Sequence, residues 1–263
     1  MSAGSIRRFV ALGDSTTEGL EDPYPGGSTY RGWADRLAAR LAAVDPDVRY
    51  ANLAVRGRKL AQIRSEQLGP ALAMEPDLAS VIGGINDVLR PKADLDALAA
   101  EMDAMVGVLT GSGATVLMLT YPNVGELMAV ARRLSPRLLA YNELLRGIAG
   151  RHGARLMDIE RGGAADGRLF HPDRLHANAE GHERIALAAA EALGLPGASG
   201  AWRDPLPPEP AASRRHRMRE DARWAGAHLA PWVSRRLRGV SSGDGVLPKR
   251  PQLAPVDPAA ATM

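Results

Sequence analysis

The stretch Phe9-Val10-Ala11-Leu12-Gly13-Asp14-Ser15-Thr16 decides how this chain is read. Four consecutive apolar residues, two of them β-branched or aromatic, form the kind of short run that makes a strand buried on both faces. The glycine, aspartate, serine and threonine that follow are turn and helix-capping residues. A buried strand that breaks into a capped helix is the opening unit of an α/β fold. It leaves Ser15 at the carboxyl end of the first strand.

The same alternation continues downstream. Trp33, Leu37, Leu41 and Val44 fall on one helical face, and residues 48–53 read as a second strand. Leu60, Ile63 and Leu68 mark a short helical segment. Leu78–Ile82 is a third strand, ending at Gly83-Gly84. Asp94 is placed to cap a helix carrying Leu95, Leu98, Met102, Met105 and Leu109, which Gly111 and Gly113 end. Thr115–Thr120 is a fourth strand, stopped by Pro122. Leu134, Leu138, Tyr141, Leu145 and Ile148 line a further helix, and Arg155–Ile159 is a fifth strand at an edge. Asn178 caps a last helix with Ile185, Ala189 and Leu193. Strands separated by helices require right-handed crossovers and a parallel sheet covered on both faces. The expectation is a flavodoxin-like, three-layer, doubly wound parallel sheet of five strands in the order 2-1-3-4-5, with a C-terminal helical and disordered extension.

Composition bounds the chemistry. The chain has 263 residues, 45% hydrophobic but only 4% aromatic, so aliphatic side chains and methionine fill the core. It has no cysteine, which excludes disulfides, thiolate nucleophiles and cysteine-ligated metals. Arg7-Arg8 is followed by too short an apolar run for a signal peptide, and no segment approaches a membrane span. A soluble, cytoplasmic protein is expected. The net charge of +3 is unevenly spread. Residues 1–195 carry 22 lysines and arginines against 24 acidic residues, and residues 196–263 carry 11 against 6. The basic excess belongs to the tail.

The chain divides accordingly: a main domain over 1–195, a Pro-rich linker over 196–212, a basic amphipathic helical segment over 213–238 and a disordered tail over 239–263. Prolines in residues 205–210 stiffen the linker. Pro231 is expected to break or kink the basic segment. That segment, with Arg214, Arg215, Arg217, Arg219, Arg223, Trp224 and Trp232, suits a contact with the parent domain, a second subunit or an anionic membrane surface. No nucleic-acid fold motif accompanies it, so no nucleic-acid partner is expected. Loops at 20–30, 121–133 and 160–170 are expected to wall the pocket.

In a doubly wound sheet, ligands bind beyond the carboxyl ends of the strands. Ser15 follows the first strand, Gly57 the second, Asn86 the third, and Asp173 and His176 the fifth. All of them reach one rim. Serine is a poor nucleophile without a positioned base, and imidazole, with an unperturbed pKa of about 6.5, accepts and returns protons near neutrality. A carboxylate on its other nitrogen fixes the tautomer. Asp173, three residues before His176, suits that role. The N–H groups of Ser15 and Gly57 and the amide of Asn86 are candidate oxyanion donors. Asp14, Gly84 and Asp87 are expected to brace their turns.

These motifs resemble the blocks of the SGNH hydrolase family, also called GDSL esterases and lipases, over residues 6–195. Gly13-Asp14-Ser15 corresponds to the nucleophile block, Gly57 to the block-two glycine, Gly84-Ile85-Asn86-Asp87 to the oxyanion asparagine block, and Asp173-Arg174-Leu175-His176 to the acid–base block. Leu12 stands where the family often has phenylalanine. The resemblance implies a serine hydrolase of small or lipid-like esters, with no cofactor and no metal. Acyl length and alcohol stay open. Two other readings stand beside it: a binding module holding an anion at the Ser15 turn, and a metal hydrolase using His171, Asp173, His176 and His182.

Overall fold

The computed structural model describes residues 6–27, 29–123, 125, 128–162, 166–210 and 213–257. Portions of the expected linker and tail, residues 211–212 and 258–263, lie outside them, as do the side chains of Arg214 and Arg217.

The strands are β1 (Arg8–Gly13), β2 (Arg49–Asn52), β3 (Leu78–Ile82), β4 (Thr115–Leu119), β5 (Arg155–Met157) and β6 (Arg250–Pro255). They form one sheet in the order β5-β4-β3-β1-β2-β6. The expected five-strand sheet is therefore corrected to six. β6 runs antiparallel to β2, pairing Tyr50 with Ala254, and occupies the edge that β2 would have left open. It comes from the tail expected to be disordered. Its sequence, Arg-Pro-Gln-Leu-Ala-Pro, has two prolines and no alternating pattern, and only pairing to β2 makes it a strand.

The helices that matter for the site are α1 (Ser15–Glu18), α2 (Gly32–Val44), α3 (Leu60–Ile63), α4 (Gly69–Ala73), α5 (Ile85–Val88), α6 (Leu95–Gly111), α7 (Ser135–His152) and α8 (Ala179–Leu193). The extension adds α9 (Arg214–Trp224) and α10 (Ala230–Leu237). α2 packs on α8 and α6 on α7, covering the sheet. Phe9, Val10, Ala11 and Leu12 are wholly buried, as a double-sided strand demands. Trp33, Leu37 and Leu41 bury their face of α2, whereas Val44 at its end is exposed. Asp94 caps α6 by accepting from Asp96 and Ala97 N–H, and Asn178 caps α8 by accepting from Gly181 N–H at 3.0 Å.

Two π turns, Arg64–Leu68 and Ala225–Leu229, share one cause. Pro70 and Pro231 each follow in the next helical turn. A proline lacks an N–H for the carbonyl four residues back and crowds it. Those carbonyls belong to Glu66 and Ala227, inside the π turns, where the wider winding absorbs the misfit. The expected break at Pro231 is thus a local widening, and the helical path continues through it.

The extension is held at discrete points. Lys249 is buried and its ammonium lies 2.8 Å from Asp35, while donating to the carbonyls of Tyr30 and Arg31. Asp35 also accepts from the Tyr24 and Tyr50 hydroxyls, both at 2.8 Å. A buried ammonium needs such partners, because desolvation alone lowers its pKa and disfavours the charge.

Candidate active site

The β1–α1 turn is built from backbone upward. Gly13 has no room for a side chain: a Cβ there would come within 2.5 Å of the Ile82 carbonyl. Its N–H donates to Gln67 Oε1 at 2.8 Å, and its carbonyl accepts from Gln67 Nε2 at 2.9 Å. Gln67 sits on the first π turn, so the local widening at Glu66 helps carry a buried amide to the residue before the site. Asp14 then caps α1 through Thr16 N–H at 3.1 Å, and Ser15 begins the helix.

The other strand ends are tied to this turn. Glu18 of α1 accepts from Arg56 N–H at 2.7 Å and also pairs with the Arg56 guanidinium, drawing the loop that carries Gly57 towards α1. Gly57 has φ +74°, a left-handed conformation suited to glycine. Gly84 has φ +98°, and a Cβ there would collide with the Tyr141 hydroxyl. That hydroxyl donates to the Gly83 carbonyl at 3.0 Å. Asp87 accepts from Leu60 N–H at 3.0 Å, joining α5 to α3. Asn86 donates its amide to Asp14 Oδ2 and to the Arg58 carbonyl, each at 3.1 Å.

Ser15 Oγ lies 3.0 Å from His176 Nε2, and His176 Nδ1 lies 2.6 Å from Asp173 Oδ2. Asp173 Oδ1 accepts from the N–H groups of Leu175 (2.9 Å) and His176 (3.0 Å). Arg174 takes φ +61° between them, which lets the acid and the imidazole fold onto one side. Burial by itself would raise the Asp173 pKa, but the His176 contact and the two backbone donors hold it down at about 2. Asp14 is the opposite case. It is wholly buried, and desolvation pushes its pKa up to about 6 despite the Thr16 hydrogen bond.

Ser15, Asn86 and His176 share the wall of a cavity of about 80 Å³, whose apolar side includes Tyr121, Leu169 and Ile185. Gly57 and Asn86 border a second, polar cavity that Ser15 does not line. A third cavity, apolar and of about 320 Å³, opens at Asp173 and His176. Residues from the 121–133 and 160–170 loops line these spaces. The 20–30 loop instead turns toward α2 and α8. Asp22 there binds Arg36 at 2.9 Å, and the Leu20 carbonyl accepts from His182 Nε2.

His182 also accepts from Trp33 N–H at its Nδ1, 3.2 Å away. Both ring nitrogens are committed inside the core, and burial lowers its pKa to about 4. The ligand set His171, Asp173, His176 and His182 is therefore not assembled. Glu21, His171 and Asp173 do approach one another, but Asp173 already spends its oxygens on His176 and the backbone. Gln67 and Glu18 carry no mark in the sequence reading, although Glu18, three residues after Ser15, is within reach of pattern reasoning. Trp224 stands there as part of the basic segment, with the parent domain among its possible contacts; its partner, the Asp173 carbonyl, is what only the structure supplies.

A mostly parallel sheet, with polar side chains gathered beyond its carboxyl ends, defines an α/β hydrolase-like protein. Residues 11–184 match the model of the GDSL-like lipase/acylhydrolase family, and the chain belongs to that family. It is a hydrolase acting on ester bonds. No curated protein matches the chain. Among solved structures, it is similar to Axe2, an acetylxylan esterase from Geobacillus stearothermophilus, at 21% identity and TM-score 0.60, over 74% of this chain and 97% of that one. It is also similar to LAE5, an α/β hydrolase enzyme from the metagenome of Lake Arreo, Spain, at 24% identity and TM-score 0.59, over 72% and 95%. At these identities the likeness speaks for the fold. Among the described residues, no helix is long and apolar enough to cross a membrane.

Proposed function

We propose that the protein cleaves carboxylic esters of small or lipid-like molecules through an acyl-enzyme on Ser15. The observation that carries this reading is the continuous path Ser15 Oγ, His176 Nε2, His176 Nδ1, Asp173 Oδ2, with separations of 3.0 Å and 2.6 Å at its two hydrogen-bonded steps. Ser15 Oγ attacks the ester carbonyl carbon, and its proton passes to His176 Nε2. Asp173, kept ionised by its low pKa, orients the ring and stabilises the imidazolium. The carbonyl oxygen becomes an oxyanion, received by the N–H groups of Ser15 and Gly57 and by Asn86. One Asn86 amide hydrogen must leave Asp14 or the Arg58 carbonyl to do so.

The bond to the alkoxy group then breaks, and that oxygen takes the proton from Nε2 and departs as an alcohol. Water attacks the acyl carbon, gives one proton to His176 and releases the carboxylic acid. The proton returns to Ser15, closing the cycle. No metal or cofactor enters any step.

The test is Ser15→Ala against a panel of p-nitrophenyl esters, with fluorophosphonate labelling of both proteins. Turnover should fall at least about a thousandfold, and labelling should vanish. A variant that keeps wild-type turnover would end the proposal. Wild-type protein that neither labels nor turns over any ester would favour the binding-module reading.

A further inference from the structure

We propose that the C-terminal extension completes the substrate site: the helical stretch around Trp224–Arg235 roofs a chamber for the apolar leaving alcohol of the ester. The inference rests on the esterase reading above and adds the class of alcohol it selects.

The chamber is the 320 Å³ cavity. Leu89, Met128, Leu134 and Leu175 form its floor and sides, and Trp224 and Trp232 its roof. It opens at His176 and Asp173 but does not border Ser15 or Asn86. The small 80 Å³ cavity borders all three of Ser15, Asn86 and His176. A tetrahedral carbon on Ser15 sends three groups outward. Its oxyanion must face Asn86, the candidate donor that shares this cavity with Ser15. Its alkoxy oxygen must face His176 Nε2, because that nitrogen returns the proton. The space on the imidazole side therefore receives the alcohol, and the smaller space beside Ser15 receives the acyl group.

The roof is fastened to the loop it covers. Trp224 Nε1 donates to the Asp173 carbonyl at 2.8 Å. The Arg174 guanidinium stacks over the Trp224 ring, 5.3 Å from its centroid, and pairs with Asp221 of α9 at 2.5 Å. His228, also on the roof, is turned edge-on to His171. The walls are mostly apolar, with Arg235, His228 and the Asp173–His176 mouth as the polar exceptions, so a sugar or polyol would lose most of its hydrogen bonds on entering, while an alkyl or aryl group gains burial. Nothing in residues 11–184 supplies the two tryptophans, so the extension brings the selectivity.

Two ester ladders test this. One holds acetate constant and lengthens the alcohol from ethanol to butanol to hexanol. The other holds ethanol constant and lengthens the acyl chain from acetate to hexanoate. In the wild type, kcat/KM should climb along the alcohol ladder by up to about fourfold per methylene buried. The acyl ladder should flatten or fall. Ala227→Trp, which fills the chamber, and Trp232→Ala, which unroofs it, should each cut the hexyl-to-ethyl acetate ratio at least about tenfold. Reading a ratio within each variant cancels losses of folded protein, and either variant suffices if the other does not fold. A flat alcohol ladder in the wild type overturns the inference. So does an unchanged ratio in folded Ala227→Trp, or a collapse of the acyl ladder in place of the alcohol one. Turnover of short esters with a flat alcohol ladder sinks the chamber alone, whereas no turnover of any ester sinks the esterase reading and the chamber together.

Discussion

The sheet core and the C-terminal extension are held together by different physics. In the core, β1 is buried from end to end, and every site-bearing turn is fixed by several short bonds: Gln67 on Gly13, Glu18 on Arg56, Tyr141 on Gly83. In the extension, a largely exposed helical stretch and one edge strand are attached by a few anchors, chiefly Trp224, Lys249 and β6. The difference teaches where precision is needed. Groups that must hold reacting atoms to within a fraction of an ångström sit on the over-determined part. A wall that only has to exclude water and fit an apolar group tolerates sparser attachment.

Perturbing the two regions should therefore give unequal effects. After Ser15 itself, the largest is expected at Asn86. Asn86→Ala should lower kcat by about a hundredfold to a thousandfold, as loss of one oxyanion donor does elsewhere. Steady-state kinetics on a p-nitrophenyl ester decides this, and a loss under threefold would separate Asn86 from the chemistry.

Next comes Asp14, where the core pays in stability for burying a carboxyl. The folded group keeps its proton up to about pH 6, and the unfolded one releases it near the ordinary carboxylate value. Between those pH values the folded state holds the extra proton, so stability falls as pH rises through the window. The full cost above it is about 3 kcal/mol. Asp14→Asn, which keeps an acceptor for Thr16 N–H, should be more stable than wild type above pH 6 and no more stable near pH 3.5. Urea unfolding at the two pH values measures this. Asp173 has the opposite sign: its lowered pKa contributes stability above about pH 4 that is lost as pH falls through about 2.

The smallest effect belongs to the extension. Trp224→Phe keeps the ring and removes its bond to the Asp173 carbonyl. One such bond is worth about 1 kcal/mol, and the melting temperature should drop by about 2–4 °C. A drop beyond about 10 °C would show that the extension is as tightly determined as the core, and would break the contrast between them.

Much of the core was legible because its signals are local. Phe9–Leu12 must be a buried strand whatever surrounds it, Asp94 and Asn178 cap helices through N–H groups two or three residues on, and only two residues separate Asp173 from His176. Gln67 was not legible, since its partner is 54 positions away and a glutamine on a helical segment is unremarkable. β6 was hidden for a stronger reason: residues 250–255 have no strand pattern of their own. Pro231 was legible as a disturbance of the helix but not in its form, because a π turn relieves the clash that its ring would otherwise resolve by breaking the helix.

By itself, then, the amino-acid order determined the alternating strands and helices, the rim where their polar ends meet, and the candidate residues at that rim, because each depends on neighbours a few positions away. Tertiary structure alone decided the sixth strand, the amide clamp on Gly13 and the tryptophan roof beside His176. These are pairings between segments dozens to hundreds of residues apart, and their energy exists only once burial has brought the partners together and removed the water between them.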